Sequence, residues 1–150
     1  SNAGMYSPAG PRPDEPHVQE WNDIFAVNSV APLVLSELLL PNLALGTEKK
    51  VIAVSSKIAS IADNQSGQRY LYRMSKTALN MGMKSFSIDT EKEGITTLLL
   101  HPGWVQTDMG GERAPTTVSD SVRGMRAIID SATSKQSGRF FDFTGSEIPW

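Results

Sequence analysis

The sequence predicts an α/β fold built on a parallel sheet, and three observations carry that prediction. Helical and strand-like stretches alternate along the chain as helix, strand, helix, strand, helix, strand. The strand-like stretches 50–55 and 95–100 are continuous apolar runs, the pattern of strands covered on both faces. The 150 residues, 39% hydrophobic and 20% charged, suffice for a single domain, 1–150, with a core of its own. Crossovers between successive strands are expected to be right-handed.

Residues 1–3, Ser-Asn-Ala, read as an expression-tag scar. Residues 5–16 hold Pro8, Pro11, Pro13, Pro16 and Gly10 and read as a loop. Asp14 precedes a helical pattern starting near His17, with Val18, Trp21, Ile24 and Phe25 on one face. The pattern resumes from Val30 to Leu45 across Pro32, where a helix should kink and release the carbonyl of Asn28. Leu33, Val34, Leu35, Leu38, Leu39, Leu40 and Leu43 surround this second part, so it should be buried on more than one side. Gly46 and the solvated turn Glu48-Lys49-Lys50 end it. A strand over 50–55, a polar loop and a helix over about 71–92 follow, the helix closed by Gly94. The second strand, 95–100, stops at His101-Pro102-Gly103. Thr117-Val118-Ser119-Asp120 is a capping-box pattern that opens a helix to about 133, and a last strand covers 139–143.

Composition excludes several function classes. A net charge of −2 gives no reason to expect nucleic acid or an anionic membrane as partner. Without cysteine there is no disulfide, thiolate chemistry or Cys-based metal site, and His17 and His101 lack metal-ligand spacing. No apolar run can span a bilayer and no signal peptide opens the chain, so a cytoplasmic protein is expected.

The chemistry concentrates in Tyr72-Arg73-Met74-Ser75-Lys76. Residues four apart share a helix face, so phenol and ammonium project together. A cation beside a phenol favours the phenolate and lowers its pKa from the usual ~10. Such a Tyr can give a proton to a carbonyl oxygen or take one from an alcohol. By itself the pair is weak evidence, since a solvated Lys and a half-buried Tyr on a surface helix give the same spacing.

Other stretches agree with it. From about Trp21 to Trp150 the chain resembles the C-terminal part of a short-chain dehydrogenase/reductase. Asn28 in Val27-Asn28-Ser29 matches the family's helix Asn. Val54-Ser55-Ser56 matches the strand end that carries its catalytic Ser, with Ser56 the better aligned. Tyr72 and Lys76 match Tyr-x-x-Ser-Lys, and Pro102-Gly103 with Thr107 match the Pro-Gly turn and the Thr at the nicotinamide amide. The wording Tyr72–Asn80 and His101–Gly111 is most similar to the C-factor and sniffer-like carbonyl reductases, a branch that shares the extended spacing from Ser56 to Tyr72. The resemblance implies a partial Rossmann-like three-layer fold with a parallel sheet that lacks the family's first strands. Asn2-Ala3-Gly4 also matches the end of the family's Asn-Asn-Ala-Gly motif, a reading that competes with the tag scar.

The resemblance further implies NAD(P)-dependent reduction of a small carbonyl substrate, or oxidation of an alcohol. Tyr72 would be the general acid/base, Lys76 would lower its pKa and hold the nicotinamide ribose, and Ser56 would hold the substrate oxygen. Asn28 would hold a relay water through its carbonyl. Pro102, Gly103, Val105 and Thr107 would join Tyr72 and Lys76 at an NADP or NAD nicotinamide. Thr107 reads equally as a helix cap, and Trp104 and Met109 equally as pocket residues or loop anchors; His101 reads as strand-end packing and not as a catalyst, Tyr70 as loop packing, and Met74, Met81 and Met83 as packing and not as a ligand site. No Thr-Gly-x-x-x-Gly-x-Gly loop occurs in the 150 residues, so the expectation is that this chain alone binds no cofactor and is inert. The competing class is a non-catalytic assembly module derived from the family. In either case a homo-oligomer, dimer or tetramer, is expected through the helices at 17–45 and 71–92.

Overall fold

The structure, a computed structural model, describes residues 1–6 and 18–150. The Pro-rich loop, the Asp14 cap and the His17 helix start lie outside these residues. Helix α1 spans Val18–Phe25 and runs into a π-helical turn, Ala26–Val30, then α2, Ala31–Leu38, and α3, Leu40–Leu45. Pro32 sits at the opening of α2, and Ala31 N–H reaches back five residues to the Ala26 carbonyl. The widened turn thus takes up the missing Pro32 N–H where the sequence suggested a kink, and it carries buried Asn28 and Ser29. Strand β1 (Lys50–Val54), helix α4 (Tyr70–Asp89), strand β2 (Thr96–His101), helix α5 (Val118–Ser131) and strand β3 (Arg139–Asp142) complete the order. At Thr117 the expected cap is present, its hydroxyl accepting from Asp120 N–H.

The three strands are parallel in the order β1-β2-β3, with Val54 opposite Leu100 and His101 opposite Asp142. Val51, Ala53, Leu99 and Phe140 face α4, where they meet Leu79, Met83 and Phe86 and the partly buried Leu33, Leu40 and Leu43. Leu98, Leu100 and Phe141 face the other way, onto Met125, Ile128 and Ile129 of α5. These are the three layers of the expected Rossmann-like architecture. The parallel pattern continues past β1: Ser1 N–H donates to the Ile52 carbonyl and Val54 N–H donates to the Ser1 carbonyl at 2.9 Å.

Four expectations need correction. Both crossovers step in the same direction across the sheet, yet α4 and α5 lie on opposite faces. They therefore have opposite hands, and the right-handed rule fails for one, because a long connection over 102–117 separates β2 from α5 and frees it from the compact strand–helix geometry on which the rule rests. Helix 30–45 is covered on one side only: Leu33, Leu40 and Leu43 pack on the core, whereas Leu38 is 71% exposed and Val34 and Leu35 are exposed beside it. Lys50 belongs to β1 and is not a solvated turn residue; its ammonium donates to the Ile129 carbonyl at 2.9 Å, near the C-terminal end of α5. Of the three methionines on α4 only Met83 is core, because Met74 and Met81 fall on the outward face.

Candidate active site

Parallel strands deliver their C-terminal ends to one edge of the sheet, where open α/β folds place ligands. Ser55 and Ser56 stand there at the end of β1. Ser55 N–H donates to the Leu100 carbonyl at 2.8 Å, and its buried hydroxyl donates to Asn80 Oδ1 at 2.6 Å. Ser55 is thereby committed to the body of the fold. Ser56, half-buried and extended (φ −145°, ψ 140°), is the hydroxyl that remains for the site.

Helix α4 brings Tyr72 and Lys76 to the same edge. Lys76 is only 4% exposed, and its ammonium donates to the Val54 carbonyl at 3.0 Å. Burial lowers its pKa to about 8. Burial also dominates at Tyr72, holding the phenol above its ordinary value. The Ser56 hydroxyl opposes that shift, Tyr6 adds to it and Arg69 opposes it. The expected depression of Tyr72 by Lys76 is therefore not what this geometry produces. The ammonium stands 6.0 Å from the ring centroid and is engaged with Val54, so desolvation outweighs it. At neutral pH the phenol is in its acid form.

Asn28 is 0% exposed and holds two segments together. Its Oδ1 accepts from Met5 N–H at 2.7 Å, while its Nδ2 donates to the Met5 carbonyl at 2.9 Å and to Ser75 Oγ at 3.0 Å. Ser29 Oγ adds a bond to the Ser75 carbonyl at 2.6 Å, and Ser75 Oγ donates to the Tyr72 carbonyl at 2.9 Å. The π-helical turn is thus stitched to the Tyr72 turn of α4. Residues 1–6 lie across this stitching. A Cβ on Gly4 would come within 3.6 Å of Lys76 Nζ and 3.7 Å of Asn28 Oδ1, and Tyr6 meets Tyr72 edge-on with centroids 5.2 Å apart. The sequence pointed to the carbonyl of Asn28; the contacts observed here are those of its side chain.

The loop after β2 borders the same edge. The Pro102 carbonyl accepts from Ser121 Oγ at 2.6 Å. Gly103 has φ +88°, and a Cβ there would lie 2.8 Å from the Phe143 ring. Val105 bridges to Thr116, with Gln106 N–H and Thr116 N–H bonding across it, which turns the N–H of Val105 itself away from the bridge. The Thr107 hydroxyl accepts from Gly110 N–H at 3.2 Å, capping a turn and not a helix. An outward amide N–H, a Thr hydroxyl, a phenol and a buried ammonium suit the amide and ribose of a nicotinamide.

The remaining candidates separate. Trp104 is a loop anchor through its indole N–H, 2.7 Å from the Gly110 carbonyl, and Met109 is exposed. His101 ends β2 with a buried Nδ1 that has no hydrogen-bond partner among the described residues, and burial lowers its pKa to about 4 against the pull of Asp142. Tyr70 is half exposed at the first turn of α4. Among the described residues no group of three His, Asp or Glu could hold a metal ion. Sequence reasoning missed Met5, Asn80 and Arg73. Arg73 had a visible signal, a guanidinium directly after Tyr72 on the helix that follows a long polar loop.

Known proteins are similar to this chain in sequence and fold. A sequence profile described as short chain dehydrogenase matches residues 1–117, so Asn2-Ala3-Gly4 falls within the match. C-signal of Myxococcus xanthus is 50% identical over 126 residues, covering 84% of this chain and 76% of the relative. The carbonyl reductase Sniffer of D. melanogaster superposes with a TM-score of 0.92 at 37% identity, over 99% of this chain and 64% of its own. The NADPH-bound carbonyl reductase from chicken fatty liver superposes with a TM-score of 0.90 at 34% identity, again over 99% and 64%. The chain thus spans somewhat less than two thirds of these solved structures.

Proposed function

The chain belongs to the short-chain dehydrogenase family, and from that premise we propose that it is the catalytic part of an NADP- or NAD-dependent carbonyl reductase. One observation carries the reading: the Tyr72 phenol and the buried Lys76 ammonium, 6.0 Å from the phenol ring centroid, stand with the Ser56 hydroxyl at the C-terminal end of a parallel strand. When bound, the nicotinamide supplies hydride to the carbonyl carbon of a small substrate. Ser56 holds the carbonyl oxygen, and Tyr72 gives that oxygen its phenolic proton as negative charge develops. Lys76, mostly charged at neutral pH, stabilises the phenolate left behind and holds the ribose. Asn28 fixes the turn beneath Tyr72, and its carbonyl, which Pro32 cannot satisfy, holds a water on the path to Lys76. Pro102, Gly103, Val105 and Thr107 receive the nicotinamide amide. We place the protein in the cytoplasm as part of this reading; no helix among the described residues is long and apolar enough to cross a membrane.

These 150 residues hold no Gly-rich phosphate loop, so they offer only the nicotinamide-end contacts. Those must offset the ordering cost of association, and an affinity on the order of millimolar follows. The chain alone is therefore catalytically inert. A second reading, a non-catalytic assembly module, draws on the exposed apolar face formed by Val34 and Leu38 of α2 with Met81 and Ile88 of α4. That face makes the chain a homodimer or tetramer under either reading.

The test is NADPH oxidation with a reactive dicarbonyl, on this chain alone and on the chain preceded by the strand–Gly-rich loop–helix segment of a relative. Turnover is expected in the second alone, reduced roughly 100-fold or more by Tyr72→Phe. Absence of Tyr72-dependent turnover in both forms, with cofactor bound, favours the assembly module.

A further inference from the structure

The connection from Ser56 to Tyr72 is a long polar loop, and residues 61–69 are exposed along their whole length. Apolar burial does not hold them in place. Hydrogen bonds within the loop are local, such as Gly67 N–H to Asn64 Oδ1 at 3.0 Å. The side-chain hydrogen bonds that tie residues 66–68 to the body come from Arg73. Its Nε donates to the Gly67 and Gln68 carbonyls, both at 3.1 Å, its Nη2 to Ser66 Oγ at 3.0 Å, and its Nη1 to the Ile58 carbonyl at 2.9 Å. One planar guanidinium therefore joins both arms of the loop, near Ser56 and near Tyr72, to the first turn of α4. A point charge cannot do the same with fixed geometry.

The loop backbone reports the same constraint. Gln68 (φ 58°) and Arg69 (φ 52°) are consecutive non-Gly residues in the left-handed region. Such pairs persist only where their surroundings over-determine them, and two of the Arg73 bonds fall on the peptide units next to them. This conformation delivers Arg69 to the site: its guanidinium lies 6.0 Å over the Tyr6 ring, which meets Tyr72 edge-on.

We propose that Arg73 is a positioning residue that clamps the Ser56–Tyr72 loop and so keeps the Ser56 hydroxyl facing the Tyr72 phenol. The inference rests on the reading of Ser56 and Tyr72 given above, but its test needs no turnover. Hydrogen exchange is followed over residues 58–69, and the Tyr72 phenol is titrated by NMR with ring-labelled tyrosine, assigned with Tyr72→Phe. In Arg73→Gln the amides of 64–69 should exchange roughly tenfold faster or more, while Met74→Ala, an exposed neighbour, changes nothing. Ser56→Ala should move the Tyr72 titration to higher pH in the parent chain and leave it unmoved in the Arg73→Gln background, the signature of a lost coupling. Arg73→Lys, which keeps charge and helix propensity without the fork, should behave like Arg73→Gln and replaces it if that variant does not fold. Unchanged loop exchange overturns the proposal. So does a loosened loop in which Ser56→Ala still moves Tyr72, because Arg73 is then only structural. Failure of the carbonyl reductase assay leaves both readouts intact and counts against the functional reading alone.

Discussion

The ammonium of Lys76 donates to the carbonyl of Val54 at 3.0 Å, which binds the helix bearing Tyr72 to the strand that delivers Ser56. That bond secures the site's geometry while the surrounding burial penalises the charge, and the two effects separate with pH.

Lys76 titrates at about 8 in the folded chain against an ordinary value of 10.5. Between these values the unfolded chain holds a proton that the folded chain has released. The penalty is therefore fully present below about 8 and relieved as pH rises through that window, so stability should rise across it. Urea unfolding at pH 7.5 and 10.5 should show a gain of roughly 1–3 kcal/mol over the same comparison in Lys76→Met. Parallel pH dependence in the two proteins would mean that the ammonium is better solvated than its burial implies.

Gly103 carries two constraints that can be told apart. It combines φ +88° with a Phe143 ring carbon 2.8 Å from where a Cβ would stand, whereas Gly111 has φ +75° with nothing within 4 Å. Gly111→Ala should cost about 1 kcal/mol through backbone strain alone, and Gly103→Ala about 2–4 kcal/mol because crowding is added. Gly103→Ala with Phe143→Leu should recover part of that difference. Equal destabilisation by the two single variants would show that Phe143 yields freely.

These sites also show what could be read from the sequence. The order of elements and the parallel sheet follow from periodicity, and the Tyr72–Lys76 pair from helical i, i+4 spacing, which are local properties; Ser56 follows from the resemblance to the family. The hand of the second crossover was not legible, because it depends on the path of 102–117 around the sheet edge and not on any local pattern. Nor was the state of Tyr72. Spacing placed a cation beside the phenol, but only the folded chain shows the Lys76 ammonium spent on Val54 and the phenol buried under Tyr6. The outward face of 30–45 looked like core because leucines surround the helix, and a single chain covers only the side bearing Leu33, Leu40 and Leu43.

That outward face supports a prediction about association. Leu38 of α2 and Met81 of α4 are 71% and 68% exposed, and Ile88 continues the α4 stripe two turns on. The helices approach closely, with Leu33 Cδ2 3.5 Å from where a Cβ on Gly82 would stand, so the stripes form one surface. Leu38→Glu and Met81→Glu should shift light scattering at micromolar concentration toward the monomer mass with little loss of monomer stability, since neither side chain is core. A parent chain that is already monomeric would remove the premise.

The last prediction concerns Asn28, whose amide joins Met5 to Ser75. Replacing it with Ala leaves the Met5 N–H and carbonyl and one lone pair of Ser75 Oγ without their buried partner, at a cost of about 2–4 kcal/mol. Asn28→Asp keeps the acceptor for Met5 N–H but sets a carboxylate against the Met5 carbonyl, where Nδ2 had donated. The introduced carboxyl should therefore take up a proton more readily in the folded chain than in the unfolded one. Its folded pKa is then raised, so its stability is retained at low pH and lost as pH rises through that pKa, a slope the parent lacks. The consequence reaches Tyr72 through Tyr6, which follows Met5 and covers the Tyr72 ring edge-on at 5.2 Å. Burial and Tyr6 are both causes that hold the phenol high. When Met5 is released both weaken, so in Asn28→Ala the Tyr72 phenol should titrate at lower pH, closer to its ordinary value. Absorbance at 295 nm, with Tyr72→Phe as the blank, measures this directly. If Asn28→Ala leaves the Tyr72 titration unchanged while stability falls, then residues 1–6 are held at Tyr72 by Ser1 pairing with β1, and the Asn28 amide serves only the turn beneath it.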